Sequence, residues 1–578
     1  MGKKLMLGNE AVARGLYEAG CRFVSSYPGT PSTEITECAS KYDEILTEWA
    51  PNEKVAAEAS FGASLAGARS FSGMKHVGLN VAADLLYSGA YTGVNGGFVI
   101  AVADDMGMHS SQNEQDSRHH AIASKVPMLE PSDSQECLDF VKRAYEISEE
   151  FDTIVLLRLS TRISHSQSLV STEEREDAPL KDYVKSPAKY VMMPGNARKR
   201  HTVVEDRQKK LIELANTDSV NRVIKGSSKI GVIASGIAFQ YAKEALGDRA
   251  SYLKLGMVNP LPDRLIIDFA KSVDKLYVIE ELDDIFETHV KKLGVKVDGG
   301  KDLFSLEGEY TPLVIREKIL GVKSEVSQDA KNAPVRPPVL CPGCPHRGIF
   351  YVLSKMGLLV SGDIGCYTLG SMPPLNAMDL TVDMGASISA LHGMNKVRGE
   401  AFSKKSVAVI GDSTFLHSGI TGLLDIVYNQ SDSTVLILDN SITGMTGHQD
   451  NPSTGKNAKG APAPAVDLEA LCRALGVRRV RVVDPFDLKG CEAALSEELS
   501  VSEPSVVIAR RPCALLKTNK AQKPYAVLDD KCKKCRMCMK IGCPAISFTE
   551  NGAVIDASLC NGCGLCVKLC AFGCIAQQ

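Results

Sequence analysis

The sequence predicts a multi-domain α/β protein that ends in a small, cysteine-rich α+β domain. A chain of 578 residues is too long for a single hydrophobic core, and three or four domains are expected. Helical patterns alternate with short apolar strands along most of the chain, which is typical of parallel sheets. Nine of the eighteen cysteines lie beyond residue 530 and set the last segment apart.

The composition excludes several classes of function. The formal net charge is −3 and no long basic run is present, so nucleic-acid binding has no electrostatic basis. The longest apolar runs, such as FVIAVA, are far shorter than the roughly 20 residues of a membrane helix. The N-terminal segment lacks the apolar core of a signal peptide. We therefore expect a cytoplasmic protein whose cysteines bind metal rather than form disulfides.

Shifts in composition divide the chain into four domains and two linkers. The first domain begins with an amphipathic helix at 8–20 and contains a buried strand at 97–105. The polar stretch NARKRHTVVEDRQKK indicates a helical linker, and NAPVRPP has the composition of a connector. The predicted boundaries are 1–195, a linker at 196–228, 229–319, a linker at 320–338, 339–522 and 523–578.

The cysteine-rich tail contains an internal repeat with an offset of 28 residues. A C-x2-C-x2-C run supplies three thiolates to a four-iron cluster, and in two-cluster ferredoxins the fourth thiolate comes from the other run. The predicted ligand sets are Cys532, Cys535, Cys538 and Cys570 for one cluster, and Cys543, Cys560, Cys563 and Cys566 for the other. A zinc site and a disulfide knot are the alternatives.

The tail departs from the usual two-cluster pattern in two places. Four residues rather than three separate Cys538 from Cys543, and Ala571 follows Cys570 where proline is usual. One extra loop residue is easily accommodated, and Pro544 is present in the first run. Cys574 has no place in the scheme and is expected to be a plain buried thiol.

Polar residues follow two predicted strands of the third α/β block. Asp412 ends the strand in VIGDSTF and Asn440 ends the strand in VLILDNS, 28 positions later. The carboxyl ends of parallel strands are where α/β sheets bind ligands. A carboxylate, an amide oxygen and a nearby carbonyl suit Mg²⁺, which prefers oxygen ligands and often bridges a diphosphate to the protein. Ordinary turns at the strand ends are the alternative.

The pair G-D-S and D-N resembles the diphosphate motif of thiamine-diphosphate enzymes. The resemblance implies that Asp412, Asn440 and the carbonyl of Ile442 bind Mg²⁺. It also implies that Gly411 and Gly444 allow the phosphates to approach closely, with Ser413 in place of the family's usual third glycine.

A thiamine-diphosphate site also needs a carboxylate from a second domain. Burial raises the pKa of such a group, which can then exchange a proton with the aminopyrimidine ring. Glu53 begins the helix in NEKVAAEASFG and stands where the family has its activating glutamate. Glu58 is the rival on the same helix, and a solvent-facing role for Glu53 is the remaining alternative.

Several further motifs resemble those of the 2-oxoacid:ferredoxin oxidoreductases, and within that family those of enzymes for aryl 2-oxoacids. They are YPGTPSTE (27–34), MKHVGLNVAAD (74–84), VADDMGMHSSQNEQDSR (102–118), CPGCPHRG (341–348) and GDIGCYTLG (362–370). The resemblance implies a pyrimidine-binding domain at 1–195, a transketolase C-terminal-like domain at 229–319, a diphosphate-binding domain at 339–522 and a two-[4Fe–4S] ferredoxin domain at 523–578. The implied reaction is oxidative decarboxylation of an aryl 2-oxoacid with coenzyme A, which yields an acyl-CoA, CO2 and reduced ferredoxin.

The family resemblance also implies a third cluster and a set of substrate contacts. Cysteines at matching places hold a proximal four-iron cluster in related pyruvate enzymes, although structural thiols are the alternative here. The predicted ligands are Cys341, Cys344, Cys366 and Cys513. The candidate substrate contacts are Thr30, His109, Gln112 and Arg118.

A domain that encloses the site in the pyruvate enzymes has no counterpart in this sequence. We therefore expect a separate small beta subunit and an (αβ)2 assembly, with an external ferredoxin as the electron acceptor. The same chemistry on phenylglyoxylate, branched-chain oxoacids or pyruvate stays open. An electron-transfer subunit with an inactive thiamine site is a further alternative.

Overall fold

The structure is a computed structural model that describes residues 2–322, 333–334, 336–518 and 522–578. The chain forms two compact units, Met1–Asn332 and Ala333–Gln578. Each unit contains parallel β-sheets with helices packed on them, so the α/β architecture with parallel sheets is confirmed.

The first unit is built on a seven-stranded sheet in the order β12-β6-β7-β5-β4-β2-β3. All neighbours pair in parallel except β12, which pairs antiparallel with β6. The strands are β2 (Phe23–Ser26), β3 (Leu46–Trp49), β4 (Ser70–Lys75), β5 (Phe98–Asp104), β6 (Met128–Leu129), β7 (Val155–Ser160) and β12 (Met257–Asn259). A short antiparallel pair lies beside it, β1 (Gly2–Leu7) with β8 (Gln167–Thr172).

Hydrophobic cores cover both faces of this sheet. In β5, Val99 and Ala101 belong to one core, whereas Phe98 and Ile100 belong to the other. Successive side chains of a strand point to opposite faces, so a strand covered on both sides is a continuous apolar run. That is why FVIAVA is apolar throughout.

A second parallel sheet in this unit has the order β13-β10-β11-β9, with β9 antiparallel at its edge. Its strands are β9 (Arg222–Ile224), β10 (Ile230–Ser235), β11 (Ser251–Leu255) and β13 (Lys275–Ile279). The stretch 251–262 therefore supplies two strands to different sheets, because β11 pairs here and β12 pairs with β6.

Helices connect the strands of the first unit. Their bounds are Gly8–Glu18, Thr33–Ala39, Glu53–Leu65, His76–Thr92, Arg118–Ser124, Ser134–Phe151, Thr161–His165, Pro187–Tyr190, Pro194–Thr217, Gly236–Leu246, Asp263–Lys271, Ile285–Lys292 and Pro312–Leu320. A 3-10 turn covers Gly247–Arg249. The stretch 196–228, predicted as a helical linker, lies mostly in the helix Pro194–Thr217, whose residues Val204, Leu211 and Ala215 are buried.

The second unit is built on an all-parallel sheet in the order β14-β15-β16-β18-β17. Its strands are β14 (Leu359–Ser361), β15 (Ser406–Gly411), β16 (Thr434–Asp439), β17 (Arg479–Val483) and β18 (Ser505–Arg510). In the register of the two central strands, Gly411 of β15 is opposite Leu438 of β16. The polar residues that follow these strands therefore meet at one edge.

Helices cover both faces of this second sheet. Their bounds are His346–Met356, Ala386–Arg398, Glu400–Ser403, Asp412–Thr414, Ile420–Tyr428, Leu468–Ala474 and Leu488–Ser500, with a π-helical turn at Phe415–Gly419 and a 3-10 turn at Cys366–Ser371. The four strand pairings contain no register shift.

The tail contains two small antiparallel pairs and two 3-10 turns. The strands are β19 (Tyr525–Val527) with β22 (Ile575–Gln577), and β20 (Ile546–Thr549) with β21 (Gly552–Ile555); the turns are Met537–Ile541 and Val567–Leu569. The apolar cluster of this region includes most of its cysteines, as partners of Ile541, Leu565 and Ile575. This small apolar cluster can stabilise the tail only weakly. We therefore expect the fold of the tail to depend on bound groups for much of its stability.

Candidate cofactor and cluster sites

Asp412 is a buried carboxylate at the end of β15. It accepts the backbone N–H groups of Ser413 at 2.8 Å and Ser441 at 3.0 Å. Within the described ranges no lysine or arginine lies at ion-pair distance from it, whereas the nearby Asp439 is paired with Arg510 at 2.7 Å. Burial, reinforced by the charge of Asp439, raises the pKa of Asp412 to about 7. A buried carboxylate of this kind fits a cation such as Mg²⁺.

Asn440 lies opposite and organises the other side of the same site. Its side-chain oxygen accepts the backbone N–H of Ile442 at 3.2 Å, and its Nδ2 lies 3.5 Å from Nε2 of His346. Its carbonyl oxygen accepts the backbone N–H of Cys513 at 2.9 Å. The hydroxyl of Thr443 donates to that of Ser413 at 3.0 Å, so these loops are tied together.

The two glycines of the motif have different surroundings. A Cβ on Gly444 would lie 3.5 Å from Sγ of Cys366, so the loop passes next to a cysteine. A Cβ on Gly411 would lie 2.5 Å from the ring of Tyr367. A side chain at position 411 would therefore clash with Tyr367, in addition to blocking the expected approach of the phosphates. The hydroxyl of Tyr367 donates to the carbonyl of Ile364 at 2.8 Å.

Glu53 and Glu58 lie on the same helix but in different environments. Glu53 is 4% exposed, and Asn52 caps the helix in front of it. The first turn of the next helix packs on its carboxylate through Gly78. Glu58 is exposed and forms an ion pair with Lys54. Of the two rivals, only Glu53 has the buried setting that a proton-exchanging carboxylate needs.

Three of the four predicted substrate contacts lie in two adjacent loops. The hydroxyl of Ser110 donates to the carbonyl of Thr30 at 3.3 Å and links the loops. His109 is exposed, with its Nε2 3.0 Å from Glu309, and Gln112 is also exposed. The structure thus brings Thr30 into the same neighbourhood as the loop that carries His109 and Gln112.

The fourth predicted contact, Arg118, lies in a buried network of acidic groups. Its side chain is 1% exposed and pairs with Asp116 at 2.5 Å and Glu280 at 2.6 Å. The guanidinium also donates to the carbonyl oxygens of Glu281 and Asp283, both at 3.1 Å. Arg118 therefore joins its own loop to residues 280–283. Its donors are bound to these protein groups and not directed at a substrate.

Lys75, which the sequence analysis did not single out, ends strand β4 and lies next to the loops of Ser110 and Gly29. Its ammonium donates to the carbonyl of Ser110 at 2.9 Å, and a Cβ on Gly29 would lie 3.3 Å from its Cγ. Burial lowers the pKa of Lys75, against the opposing charges of Asp105 and Glu53. The motif MKHVGLNVAAD contains this lysine, so a search for cations at strand ends would have found it.

The predicted ligand set of one tail cluster lines a single cavity. Cys532, Cys535, Cys538 and Cys570 all contribute to its wall. Cys574 also lines it, and its sulfur lies 3.2 Å from that of Cys570. The predicted plain thiol is therefore buried, but in contact with a candidate ligand.

The second predicted set lines a second cavity. Cys543, Cys560, Cys563 and Cys566 are in its wall, together with Arg347 from the preceding domain. The side-chain amide of Asn561 donates to the carbonyl of Pro342 at 3.2 Å, so the CPGC loop contacts this end of the tail. Cysteines from both runs share each cavity, and this arrangement fits four-iron clusters.

The four cysteines of the predicted proximal site are close enough to influence one another. Burial, and then the charge of Cys513, raises the pKa of the Cys366 thiol to about 11. Burial likewise raises that of Cys344 to about 12, with Cys341 and Cys366 adding to the effect. Among the described residues no three ligating side chains are close enough to share one metal ion.

Two family models match the chain. One is described as pyruvate flavodoxin/ferredoxin oxidoreductase, thiamine diP-bdg, and covers residues 14–220. The other is described as thiamine pyrophosphate enzyme, C-terminal TPP binding domain, and covers residues 363–509. The first contains Glu53 and the second contains Asp412 and Asn440.

Three relatives illustrate the similarity. The indolepyruvate oxidoreductase subunit IorA of Archaeoglobus fulgidus is 41% identical over 98% of this chain and 96% of its own. That of Pyrococcus horikoshii is 39% identical over 99% of this chain and 96% of its own. The 2-oxoglutarate synthase subunit KorA of Archaeoglobus fulgidus is 24% identical over 48% of this chain and 88% of its own. In the described parts of the chain, every helix is too short or too polar to cross a membrane.

Proposed function

Because the chain belongs to the family of indolepyruvate oxidoreductase IorA subunits, we propose that it is the catalytic subunit of an aryl 2-oxoacid:ferredoxin oxidoreductase. The reaction is oxidative decarboxylation of a substrate such as indolepyruvate with coenzyme A, giving an aryl-acetyl-CoA, CO2 and reduced ferredoxin. Its place is in the catabolism of aromatic amino acids.

One observation carries the proposal: the candidate diphosphate site touches candidate cluster ligands. The carbonyl of Asn440 accepts from the backbone N–H of Cys513, and Gly444 passes close to Cys366. A site for two-electron oxidation is therefore next to cysteines that hold a one-electron carrier. A thiamine enzyme without a redox reaction has no need of that arrangement.

Asp412, Asn440 and the carbonyl of Ile442 hold Mg²⁺, and Ser413 and Gly444 border the diphosphate. When bound, thiamine diphosphate supplies the carbanion stabilisation that the loss of CO2 from a 2-oxoacid requires. Burial, together with the negative charge of Asp439, makes a cation favourable at Asp412. His346 keeps the edge of Asn440 in place, and burial lowers the pKa of His346 to about 4, so it is neutral there.

Glu53 acts as the proton-exchanging carboxylate. Its burial at the start of a helix and the contact from Gly78 fix its position and exclude water from one side. A general acid–base group must be held within hydrogen-bond reach of the proton that it transfers. Glu58 is exposed to solvent and paired with Lys54, so its position is not fixed by burial.

The substrate carboxylate is bound by Lys75 and the loop of Thr30. Among the described residues the ammonium has one hydrogen bond, to the carbonyl of Ser110, and it retains donor capacity for a carboxylate. His109 and Gln112, on the exposed loop, are placed to contact the aryl side of the substrate. Lys75 thus supplies the positive charge for the substrate carboxylate.

Three sets of cysteines would hold [4Fe–4S] clusters, which when bound would supply one-electron carriers. Two are held in the tail by Cys532, Cys535, Cys538 and Cys570 and by Cys543, Cys560, Cys563 and Cys566, in a ferredoxin-like domain. The proximal one is held by Cys341, Cys344, Cys366 and Cys513. The domain boundaries are those given from the sequence, and a small beta subunit completes an (αβ)2 assembly that reduces an external ferredoxin.

The test is an anaerobic purification of the chain together with its small partner subunit. Thiamine content is measured, and ferredoxin reduction is followed with coenzyme A and a panel of indolepyruvate, phenylpyruvate, phenylglyoxylate, a branched-chain oxoacid and pyruvate. We expect bound thiamine and the highest kcat/KM with an aryl-pyruvate. Protein that takes up no thiamine diphosphate with Mg²⁺ would overturn the proposal, and a preference for pyruvate would overturn the aryl assignment alone.

A further inference from the structure

Arg347 is a buried guanidinium whose hydrogen bonds, among the residues that the structure describes, all go to backbone carbonyls. Its side chain belongs to the helix His346–Met356 and the residue is 2% exposed. Nε donates to the carbonyl of Cys341 at 3.0 Å and Nη1 to that of Ile541 at 3.2 Å, with further bonds to the carbonyls of Leu340 and Gly542. The arginine therefore joins the CPGC loop to the segment that precedes Cys543.

The charge of Arg347 has no carboxylate partner in the described parts of the chain. Two other buried arginines do have them: Arg118 pairs with Asp116 and Glu280, and Arg158 with Asp104 and Glu130. Arg207, like Arg347, donates to backbone carbonyls. Removing a charge from water is costly unless an opposite charge accompanies it, so an anion next to Arg347 would offset the cost of burying its charge.

The titratable neighbours of Arg347 are thiols on two sides. Burial lowers its pKa, and the influences that oppose this come from Cys543 and Cys563 on one side and from Cys341 and Cys344 on the other. The guanidinium itself forms part of the wall of the cavity lined by Cys543 and Cys563. An iron–sulfur cluster with four thiolate ligands is such an anion, and its reduction adds another negative charge.

We propose that Arg347 is the shared counter-charge of two clusters, the one held by Cys543, Cys560, Cys563 and Cys566 and the one held by Cys341, Cys344, Cys366 and Cys513. This inference rests on the proposed function. A fixed positive charge stabilises the reduced form more than the oxidised form, because the reduced form is more negative. Arg347 therefore makes both clusters easier to reduce and acts as a positioning residue between them.

The other tail cavity provides a matched control. Arg536 lines the cavity of Cys532 and Cys570, but its side chain is exposed and lies over the ring of Phe548. Water and salt screen an exposed charge strongly, whereas a buried charge acts through a medium of low dielectric constant. Both arginines line a proposed cluster cavity, but only the buried Arg347 should change the reduction potential of a cluster.

The experiment compares Arg347→Lys, Arg347→Gln and Arg536→Gln in the anaerobic holoenzyme with its partner subunit. Reduction potentials are measured by EPR-monitored redox titration, and iron is counted. The variant Cys535→Ser removes a proposed ligand from the cavity that Arg536 lines, and it identifies which EPR signal belongs to the cluster in that cavity. We expect Arg347→Gln to shift the two cluster potentials to more negative values, Arg347→Lys to stay close to the wild type, and Arg536→Gln to cause little change.

Each outcome decides the matter. Unchanged potentials in Arg347→Gln with full iron would overturn the proposal, and so would an equal shift in Arg347→Lys, because hydrogen bonding rather than charge would then be responsible. If Arg347→Gln loses iron, full iron and unshifted potentials in Arg347→Lys support the counter-charge, and iron loss there as well contradicts it. The reduction potentials and the iron content are measured without turnover, so they can be interpreted even if the proposed substrate is wrong. Wild-type protein that contains no clusters would instead refute the proposed function.

Discussion

A Cβ at position 78 would lie 2.7 Å from Oε1 of Glu53 and 2.8 Å from its Cγ, so Gly78 is in direct contact with that carboxylate. Gly78 is a buried residue in the first turn of the helix His76–Thr92. Contacts this short leave room for no additional atom. The glycine therefore shapes the space in which the proposed base is held.

Gly78→Ala should displace the Glu53 carboxylate and lower turnover by at least about tenfold, since small displacements of reacting groups have large effects on rate. The measurement is kcat for ferredoxin reduction, with thiamine content as a check on folding. Gly62→Ala is the control, because a Cβ there has nothing within 4 Å. That helical substitution should keep activity and stabilise the protein by about 0.5–1 kcal/mol. Equal activity in both variants would show that Glu53 tolerates movement.

Glu53→Gln should reduce kcat by about 10²–10⁴-fold, the usual contribution of a general acid–base group. The amide has the same shape but cannot exchange a proton. Glu58→Gln is the matched control on the same helix, where the side chain is exposed and paired with Lys54. It should leave activity within about twofold, since such surface pairs contribute little. Full activity in Glu53→Gln would refute the assignment of the base.

Asp412→Asn should weaken the binding of thiamine diphosphate and Mg²⁺ by more than about tenfold, equivalent to about 1.4 kcal/mol. The variant keeps the shape of the side chain but loses the negative charge that attracts the cation. Isothermal titration calorimetry on cofactor-free protein measures the effect. Asp425→Asn, at an exposed position on the helix Ile420–Tyr428, should bind as the wild type does. Unaltered binding in Asp412→Asn would place the metal elsewhere.

Much of the architecture could be predicted because it depends on local patterns. Fully apolar strands such as FVIAVA and polar strand ends such as Asp412 are visible in a single sequence. Long-range partners are not: the ion pair of Arg118 with Glu280, 162 positions away, cannot be predicted from a single sequence. The sequence motif favours Glu53, but the burial of Glu53 and the exposure of Glu58 needed the structure, because helical spacing does not show which neighbouring helix covers a side chain.

The cysteines show the same division between local and distant information. Spacing alone grouped the two runs of the tail, since the loop that wraps a cluster is local. The contact between Cys570 and Cys574 and the position of Arg347 depend on how separate segments pack, and no spacing rule encodes them.

The wild-type chain should contain about twelve irons, the sum of three four-iron clusters, when isolated without oxygen. Cys344→Ser should lower the count by about four, since it removes a ligand of the proximal cluster. Colorimetric iron and sulfide analysis gives the numbers. Cys472→Ser changes another buried thiol of the same unit and should retain all the iron. A wild-type count of about eight would remove the proximal cluster and leave the two of the tail.

Cys574→Ala should retain all the iron, because Cys570 is the proposed ligand and Cys574 is only its neighbour. Cys570→Ala should lose the cluster or bind it weakly, which EPR spectra and iron content would show. The two sulfurs are 3.2 Å apart, so the pair tests which one the cluster uses. If Cys574→Ala loses iron and Cys570→Ala retains it, Cys574 is the ligand and Cys570 is the neighbouring thiol.

Strand β12 has a consequence for the order of events during synthesis. The sheet of the first unit takes its outer strand from Met257–Asn259, which is made long after the other six strands. The ribosome therefore releases an N-terminal segment whose β6 edge has no neighbour until about residue 260 has emerged. The outer edge of β6 therefore stays unpaired in the nascent chain until β12 has been synthesised. Only then can the seven-stranded sheet be completed.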